Sequence, residues 1–422
     1  MRVLVVGAGG REHALVRQLR QGETAAQVYA APGNPGIAPL ARCLPIDSSD
    51  VPSLAASASE LQIDLTVVGP EAPLAAGIVD AFQAQRLRIF GPAEAAAQIE
   101  SSKVFAKQLM ARCDIPTAPF EVFTSPADAM SYARALNRPQ VVKADGLTAG
   151  KGVVVCNDSV EAERAIFDLM VARKFGDAGS RIVIEERLTG SEASILALVG
   201  PRGVVPLLPA QDYKRAFDGD QGPNTGGMGA IVPGTVPPAV AAEVVEAIIE
   251  PALWAMEREG RPYAGVLYAG VMVTDDGPKA LEFNCRFGDP ETQAILPLLD
   301  SDLTEAMIDL LDGRTPSLRW KDGAAACVVL ASRGYPGHAE TGRPILGLDD
   351  AGGVLVFHAG TAESDGRPFT AGGRVLNVVG TGDTLEDAVD RAYTGVARIH
   401  FDGMHYRRDI GRRVSVAEEV TA

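Results

Sequence analysis

A chain of 422 residues is too long for one ordinary hydrophobic core and implies three or more domains. Its formal net charge of −15 argues against broad contact with nucleic acid or acidic membrane surface, so an anionic ligand must be met by local Lys and Arg. The five cysteines are scattered without a C-x-x-C pair, no apolar run reaches membrane length, and the chain opens on a strand pattern rather than a signal peptide; a reduced cytoplasmic protein is expected.

Arg2 to Val6 is a short apolar run, followed by Gly7-Ala8-Gly9-Gly10 and a helical pattern from Arg11 to Leu19. Strand, tight turn and helix in that order open a doubly wound α/β unit with backbone amides aimed at an anion. A nicotinamide-binding unit is the rival reading. Glu12 stands where the third glycine of G-x-G-x-x-G belongs, and the next strand, Gln27 to Ala30, ends at Ala31-Pro32 without an acid for a ribose hydroxyl. Gly10, Arg11 and Glu12 are either ligand contacts or a structural turn with a charge pair. Pro32 to Gly36 forms a turn cluster, and Asp64 to Val68 is a third strand ending in Gly69-Pro70-Glu71. A helix over Leu74 to Phe82 and a short strand over Arg88 to Phe90 complete a first domain, residues 1–102.

Ser101-Ser102-Lys103 reads as a helix cap, with Val104, Phe105 and Leu109 on one face of the helix. A short strand near Glu121 to Phe123 and a helix from Ala127 to Leu136 come next. Lys143 follows two valines on a buried strand, where an unpaired ammonium is costly and a phosphate partner removes the cost. The glycine run from Gly146 to Gly152 is not a Walker A loop. Its spacing to Lys151 is one residue short, and Gly152 replaces the Ser or Thr that would bind Mg²⁺. It reads as a hairpin loop in which Gly150, Lys151 and Gly152 close over phosphates. Arg181 to Ile184 is a strand ending in Glu185-Glu186. Gln211-Asp212-Tyr213-Lys214-Arg215 leads into a glycine-rich loop through Gly229, and a helix from Val240 to Met256 is expected to kink at Pro251.

The hairpin of Val266 to Val273 and Lys279 to Phe283 delivers the most informative run, LEFNCRFGDPETQ, from Leu281 to Gln293. Strand alternation puts Glu282, Asn284 and Arg286 on one face and Leu281, Phe283 and Cys285 on the other. A carboxylate, an amide oxygen and a guanidinium side by side suit a hard cation such as Mg²⁺ or Mn²⁺ with an anion beside it, the cation completing its shell with water and phosphate oxygens. An exposed salt-bridge face on an edge strand is the bland alternative.

This run resembles the signature of the phosphoribosylamine–glycine ligase family of the ATP-grasp superfamily, which reads close to EFNxRFGDPExQ. The resemblance extends along the chain through GGREHAL, EERLTGSEAS, QDYKR, GPNTGGMG, VFHAGT, GGRVLNV and YRRDIG, with Arg187, Ser191 and Tyr213 as departures. It implies an α/β protein with an N-terminal doubly wound parallel-sheet domain, central ATP-grasp domains over 103–320 and a small C-terminal α+β domain over 321–422. Residues 122–188 would be the mobile nucleotide-clamping lid. The activity implied is ATP-dependent ligation of glycine to 5-phosphoribosylamine through glycyl phosphate, in de novo purine biosynthesis.

By the same resemblance, Lys103 and Lys143 contact the nucleotide phosphates, Glu185 and Glu186 border the adenine, and Glu192 takes the ribose hydroxyls. Arg11, Glu12, Asp212, Lys214, Arg286, Asp289 and Glu291 lie on the substrate side. Glu282 and Asn284 are the metal ligands, and Lys143 and Arg286 stabilise developing charge. A cytoplasmic monomer acting on small molecules is expected. From Gly323 onward short strands at Ala324 to Ala331, Val354 to Ala359 and Arg374 to Val379 precede a helix from Thr384 to Ile399, with no catalytic constellation among them.

Overall fold

The fold is that of a computed structural model describing residues 1–148 and 150–412. Ala149, inside the expected lid loop, and positions 413–422 of the expected C-terminal domain lie outside the described residues. Val3 to Val6 are buried on both faces, which suits a central parallel strand, and Arg2–Gly7 takes that place. The first sheet runs Arg42–Cys43, Gln27–Pro32, Arg2–Gly7, Leu65–Val68, Ile89–Phe90, with every pairing parallel. Arg42–Cys43 has no readable alternation, being a two-residue edge strand. The helix expected over Leu74 to Phe82 is two, Glu71–Ala75 and Ile78–Ala84, because Gly77 adopts a left-handed φ of +78° between them.

Another sheet is four-stranded and antiparallel. Its order is Phe120–Phe123, Ile182–Glu186, Gln140–Ala144, Val153–Cys156. Helices Pro126–Leu136 and Ser159–Ile166 pack on one face through Ala129, Ala133, Ala162 and Ile166. Ser125 and Asp158 cap them, accepting from the amides of Asp128 and Glu161.

Beneath it lies the sheet Gly203–Pro206, Ser191–Gly200, Gly265–Thr274, Gly277–Asn284, also antiparallel. The expected helix from Val240 to Met256 contains a wide π turn, Val245–Ile249, between Pro238–Val244 and Glu250–Arg258. Pro251, which cannot donate a backbone hydrogen bond, sits just after it. A third sheet joins Gln211–Asp212 and Gly229–Val232 to Ala324–Ala331, Arg374–Gly382 and Leu355–His358, so one sheet spans both sides of position 320. Helix Leu385–Val396, capped by Thr384, packs on it. Among the described residues, no helix is long and apolar enough to cross a membrane.

One bulge sets the face of the signature run. Gly270 pairs with Glu282 but Val271 pairs with Ala280, leaving Leu281 as the extra residue. Pro278 and Ala280 are buried before the bulge, and Phe283, Cys285 and Phe287 after it. Without the extra residue, Glu282 would share the core face with Ala280. Leu281 itself is half-buried and does not join the apolar side expected of it by alternation.

The N-terminal glycines meet the third sheet closely. A Cβ on Gly10 would stand 2.1 Å from Asn377 Nδ2 and 2.8 Å from Gln293 Nε2. Gly10→Ala should therefore force this seam apart and cost about 1–3 kcal/mol, as overpacking does. A thermal melt checks it, and an unchanged midpoint would mean that the seam yields freely.

Candidate active site

The bulged strand turns Glu282 towards Lys103, Lys143, Lys214 and Arg286. Burial works against the Glu282 charge, yet Lys214, Lys143, Lys103 and Arg286 outweigh it and hold the carboxyl below its ordinary range. Asn284, on the same face, accepts from Arg286 Nη2 at 3.1 Å, which leaves one lone pair of its amide oxygen for another partner. Lys103 lies in the first turn of helix Lys103–Arg112, with Nζ 3.5 Å from Gly146 O. Burial pulls its pKa down, and Glu282 acts against that. Asp145 anchors the helix start, its Oδ1 accepting from Ser102 Oγ and from Val104 N at 2.8 Å. Arg181 donates to the other oxygen at 2.6 Å.

Lys143 is buried on Gln140–Ala144, as its valine neighbours suggest, but its structural partner is a carboxylate. Its Nζ stands 2.5 Å from Glu185 Oε1 and donates to Leu281 O, at the bulge, at 2.9 Å. Glu185 also holds Lys107, with Nζ 2.6 Å from Oε2. The Glu185 carboxylate, expected at the adenine, is thus engaged by two lysines. Glu186 at the strand end is half-buried, 3.4 Å from Arg138 Nη1. In the glycine-rich hairpin loop Lys151 is exposed, Gly152 N donates to Thr148 Oγ1 at 3.0 Å, and a Cβ on Gly150 would lie 3.2 Å from Thr225 O. The loop tip therefore approaches the glycine-rich 224–229 segment.

Arg286 is held between two acids. Its Nε is 3.5 Å from Glu71 Oε2 and its Nη2 3.3 Å from Glu100 Oε1, and Nη1 donates to Phe287 O at 3.1 Å. Burial raises Glu100, although Arg286 acts against it. Glu71 is also opposed by burial, but Arg286 and Arg11 hold it below the usual carboxylate range.

Asp289, expected on the substrate side, joins elements distant in the chain. Arg374 Nη2 is 3.1 Å from Asp289 Oδ2, and Gln293 Nε2 donates to Oδ1 at 2.7 Å. Burial opposes the Asp289 charge, but Arg374, Arg11 and Gln293 keep its pKa low. Arg374 Nη1 also donates to Asp289 O at 2.7 Å and Gly226 O at 2.6 Å, and Tyr335 Oη accepts from Gly226 N at 3.0 Å. The C-terminal sheet thus holds the glycine-rich loop in place. Glu12 accepts from Gly9 N and from Arg11 Nε, both at 2.5 Å, so it ties its own turn, while Arg11 Nη1 donates to Phe287 O at 3.1 Å. Glu291 is buried at the start of helix Glu291–Ile295, with Ser194 Oγ 3.3 Å from its Oε1.

Lys214 closes the ring. Its Nζ is 2.8 Å from Glu192 Oε2 and 3.5 Å from Asp212 Oδ1. Burial opposes its charge, but Asp212, Glu192 and Glu282 raise its pKa well above the ordinary value. Glu192 is accordingly lowered by Lys214. Asp212 behaves differently: burial pushes it up to about 7, against Lys214 and with help from Glu291 and Glu192. Folded Asp212 keeps a proton that the unfolded carboxyl loses near pH 4, about its ordinary pKa. Its contribution to stability is present below that pH and is lost as pH rises through about 7. Asp212→Asn removes this slope, so wild type should lose more stability than the variant between pH 4 and 7. Parallel urea-melt profiles of the two proteins would contradict it.

Glu71, Glu100, Lys107, Asp145, Tyr335 and Arg374 are site neighbours that motif reading did not single out for the site. Lys107 had a signal, falling one helical turn after Lys103. Arg374 and Glu100 reach the site only through tertiary packing and carry none.

A cation-ringed carboxylate beside an antiparallel sheet and a glycine-rich hairpin is the arrangement of an ATP-grasp ligase. Family models match along the chain: the phosphoribosylglycinamide synthetase N domain over residues 1–100, its ATP-grasp (A) domain over 101–292 and its C domain over 325–413. The chain is 46% identical over 413 residues to the phosphoribosylamine–glycine ligase of Caldanaerobacter subterraneus, covering 97% of this chain and 99% of that protein. It is 49% identical to that of Halalkalibacterium halodurans, covering 100% and 99%. The trifunctional purine biosynthetic protein adenosine-3 of Gallus gallus is 49% identical over 98% of this chain and 42% of its own length. The crystal structure of phosphoribosylamine–glycine ligase from Thermotoga maritima superposes with a TM-score of 0.86 at 36% identity, covering 97% of this chain and 100% of that one. The biotin carboxylase domain of Hydrogenobacter thermophilus 2-oxoglutarate carboxylase, solved with MgADP, gives 0.74 at 17% identity over 96% of this chain and 91% of that one, a likeness of fold alone. The chain belongs to the phosphoribosylamine–glycine ligase family. It is an ATP-dependent carbon–nitrogen ligase of purine biosynthesis.

Proposed function

We propose that this chain joins glycine to 5-phosphoribosylamine through a glycyl phosphate, with the nucleotide held between the lid sheet and the signature strand. The observation that carries the reading is Glu282 with Asn284 beside it and Lys103, Lys143 and Lys214 around it. Lys143 and Lys214 are also paired with Glu185 and Glu192, whereas Lys103 has, among the described residues, only the Gly146 carbonyl at 3.5 Å as a hydrogen-bond partner. A cluster of lysines so arranged around one acid suits polyphosphate. Lys103 and Lys143 take the phosphates, with Gly150, Lys151 and Gly152 closing over them. Glu192 takes the ribose, and the strand end at Glu185 and Glu186 borders the adenine, with the Glu185 carboxylate serving to hold the lysines.

Glu282 and Asn284 offer two hard oxygens on one face, which fits Mg²⁺ or Mn²⁺ bound mainly through phosphate and water. Among the described residues there is no group of three or more acids, histidines or cysteines that could hold a metal by itself. When bound, the cation supplies charge neutralisation on the β and γ phosphate oxygens.

A glycine carboxylate oxygen attacks the γ phosphorus, forming one P–O bond as the bond to ADP breaks. The neutral amine of phosphoribosylamine then attacks the glycyl carbonyl, phosphate departs, and the amide nitrogen sheds a proton. Arg286 and Lys143 stabilise the charge that develops, and Gly10, Arg11, Glu12, Asp212, Lys214, Asp289 and Glu291 shape the two acceptor subsites. Neither step needs a protein nucleophile, because the residues act by positioning and by fixed charge. Lid closure matters because water would hydrolyse the acyl phosphate. The free thiols of Cys43, Cys113, Cys156, Cys285 and Cys327 fit a cytoplasmic enzyme, and we place it there as a monomer.

Glycine labelled with ¹⁸O in its carboxylate tests the route. One ¹⁸O should appear in the released phosphate. Unlabelled phosphate would rule out the acyl phosphate.

A further inference from the structure

Lys107 is a buried cation that the proposed reaction does not use. It lies on helix Lys103–Arg112, one turn beyond Lys103, with its side chain only 3% exposed. Its Nζ stands 2.6 Å from Glu185 Oε2 and donates to Thr117 Oγ1 at 2.6 Å. The Thr117 hydroxyl in turn donates to Ala280 O at 2.6 Å, on the signature strand. The other oxygen of the same carboxylate faces Lys143 Nζ at 2.5 Å. Two ammoniums therefore share one carboxylate, out of contact with solvent.

The two lysines are not equivalent. Lys143 donates to Leu281 O, next to Glu282, and neighbours Lys103, and so faces the phosphate-binding space. Lys107 stands behind Glu185, between Thr117 and the ring of Phe120, whose centroid is 5.9 Å from Nζ. Lys143 spends two of its three donors on Glu185 and Leu281 O, and a phosphate that takes up this cation competes with Glu185 for its charge. A buried carboxylate that loses its only cation is strongly disfavoured, and one that keeps a second cation is not.

We infer that Lys107 is a positioning residue for nucleotide binding: it stays on Glu185 and keeps that acid paired while the Lys143 ammonium turns to the phosphates of ATP. The inference rests on the reading that Lys143 contacts those phosphates. Burial pulls Lys107 down to about 8 while Glu185 acts against it, so the carboxylate holds this cation in its charged form. The Thr117 hydroxyl fixes Lys107 to the backbone of the strand that carries Glu282, which prevents Lys107 from following Lys143.

The test uses the full chain in wild-type form and as K107M, K107R, T117V and K143M. Steady-state kinetics for ATP and glycine are combined with ATP affinity by calorimetry and a thermal melt of each variant. K107M should raise both KM and Kd for ATP about tenfold, equivalent to about 1.4 kcal/mol, and leave KM for glycine unchanged. K107R, which retains the charge, should return ATP binding to within about threefold of wild type. The K107M effect should disappear when Glu185 is also replaced by Gln, since no buried acid is then left to pair. Where K107M does not fold, T117V serves, because it keeps every charge while releasing Lys107 from its tether to the Ala280 carbonyl; it should weaken ATP in the same direction. Unchanged ATP affinity in folded K107M, or in T117V where K107M does not fold, while K143M weakens ATP, would overturn the inference alone. Unchanged ATP affinity in K143M would instead overturn the reading of Lys143 on which it rests.

Discussion

Glu282→Gln should reduce kcat by about 10²–10³-fold or more while leaving a folded protein, because it removes one charge from the centre of the site and nothing from the core. The side chain is nearly isosteric, and the apolar neighbours that fix this strand, Ala280, Phe283 and Cys285, point the other way. The loss of charge acts twice. It weakens the hard-oxygen pair with Asn284, so the Mg²⁺ needed for half-maximal rate should rise. It also leaves Lys103, Lys143 and Lys214 without the acid that draws them together. The unfolding midpoint should stay within about 2 °C of wild type, a shift of order 1–2 kcal/mol in a chain this size. Rates measured across a Mg²⁺ series, with a melt alongside, check both parts. Full activity in the folded variant would remove Glu282 from the metal role.

Arg286→Met should be damaging in a different way, through stability as well as rate. The guanidinium lies between Glu71 and Glu100 and also donates to Asn284 Oδ1 and Phe287 O. Its removal leaves the buried Glu100 and the half-buried Glu71 near each other without their shared cation, and breaking a buried ion pair costs up to about 3–5 kcal/mol. Burial already raises Glu100 with the arginine present. Without it, both folded-state pKa values should rise above the unfolded value of about 4.3. The folded variant then binds protons that the unfolded chain does not, so its deficit should be greatest near pH 7 and shrink as the pH falls towards 5. Arg286→Lys should not rescue it, since one ammonium cannot span four acceptors held in a planar fork. Melts of wild type and variant at several pH values provide the check. A deficit independent of pH would mean that the two acids are not what the arginine neutralises.

Much of the architecture was legible because the periodicities are strong. The buried run before the first glycines, the hairpin that delivers the signature strand, and the Ser102 cap of the Lys103 helix all have local causes. The facing of Glu282, Asn284 and Arg286 was legible too, but alternation alone was an incomplete reason. The bulge at Leu281 resets the pleat, and nothing in the spacing announces an extra residue. Lys143 shows the same limit. Its burial follows from Val141 and Val142, whereas its pairing with Glu185 depends on the register of two strands distant in sequence. Arg374 is more remote still, since it enters the site from a strand of the third sheet and grips Asp289 and Gly226 by geometry alone. Gly77 and the π turn before Pro251 broke helices whose apolar pattern runs on through the break.

The site around Glu282 is expected to couple ATP cleavage to amide formation between two particular substrates. Phosphate release by the purified chain, with ATP and Mg²⁺, tests it most directly. Glycine and freshly generated 5-phosphoribosylamine are supplied together and then each is omitted. Release should require both, with glycinamide ribonucleotide formed in equal amount. Release with some other acid and amine but not with this pair, or no release at all, would contradict the account.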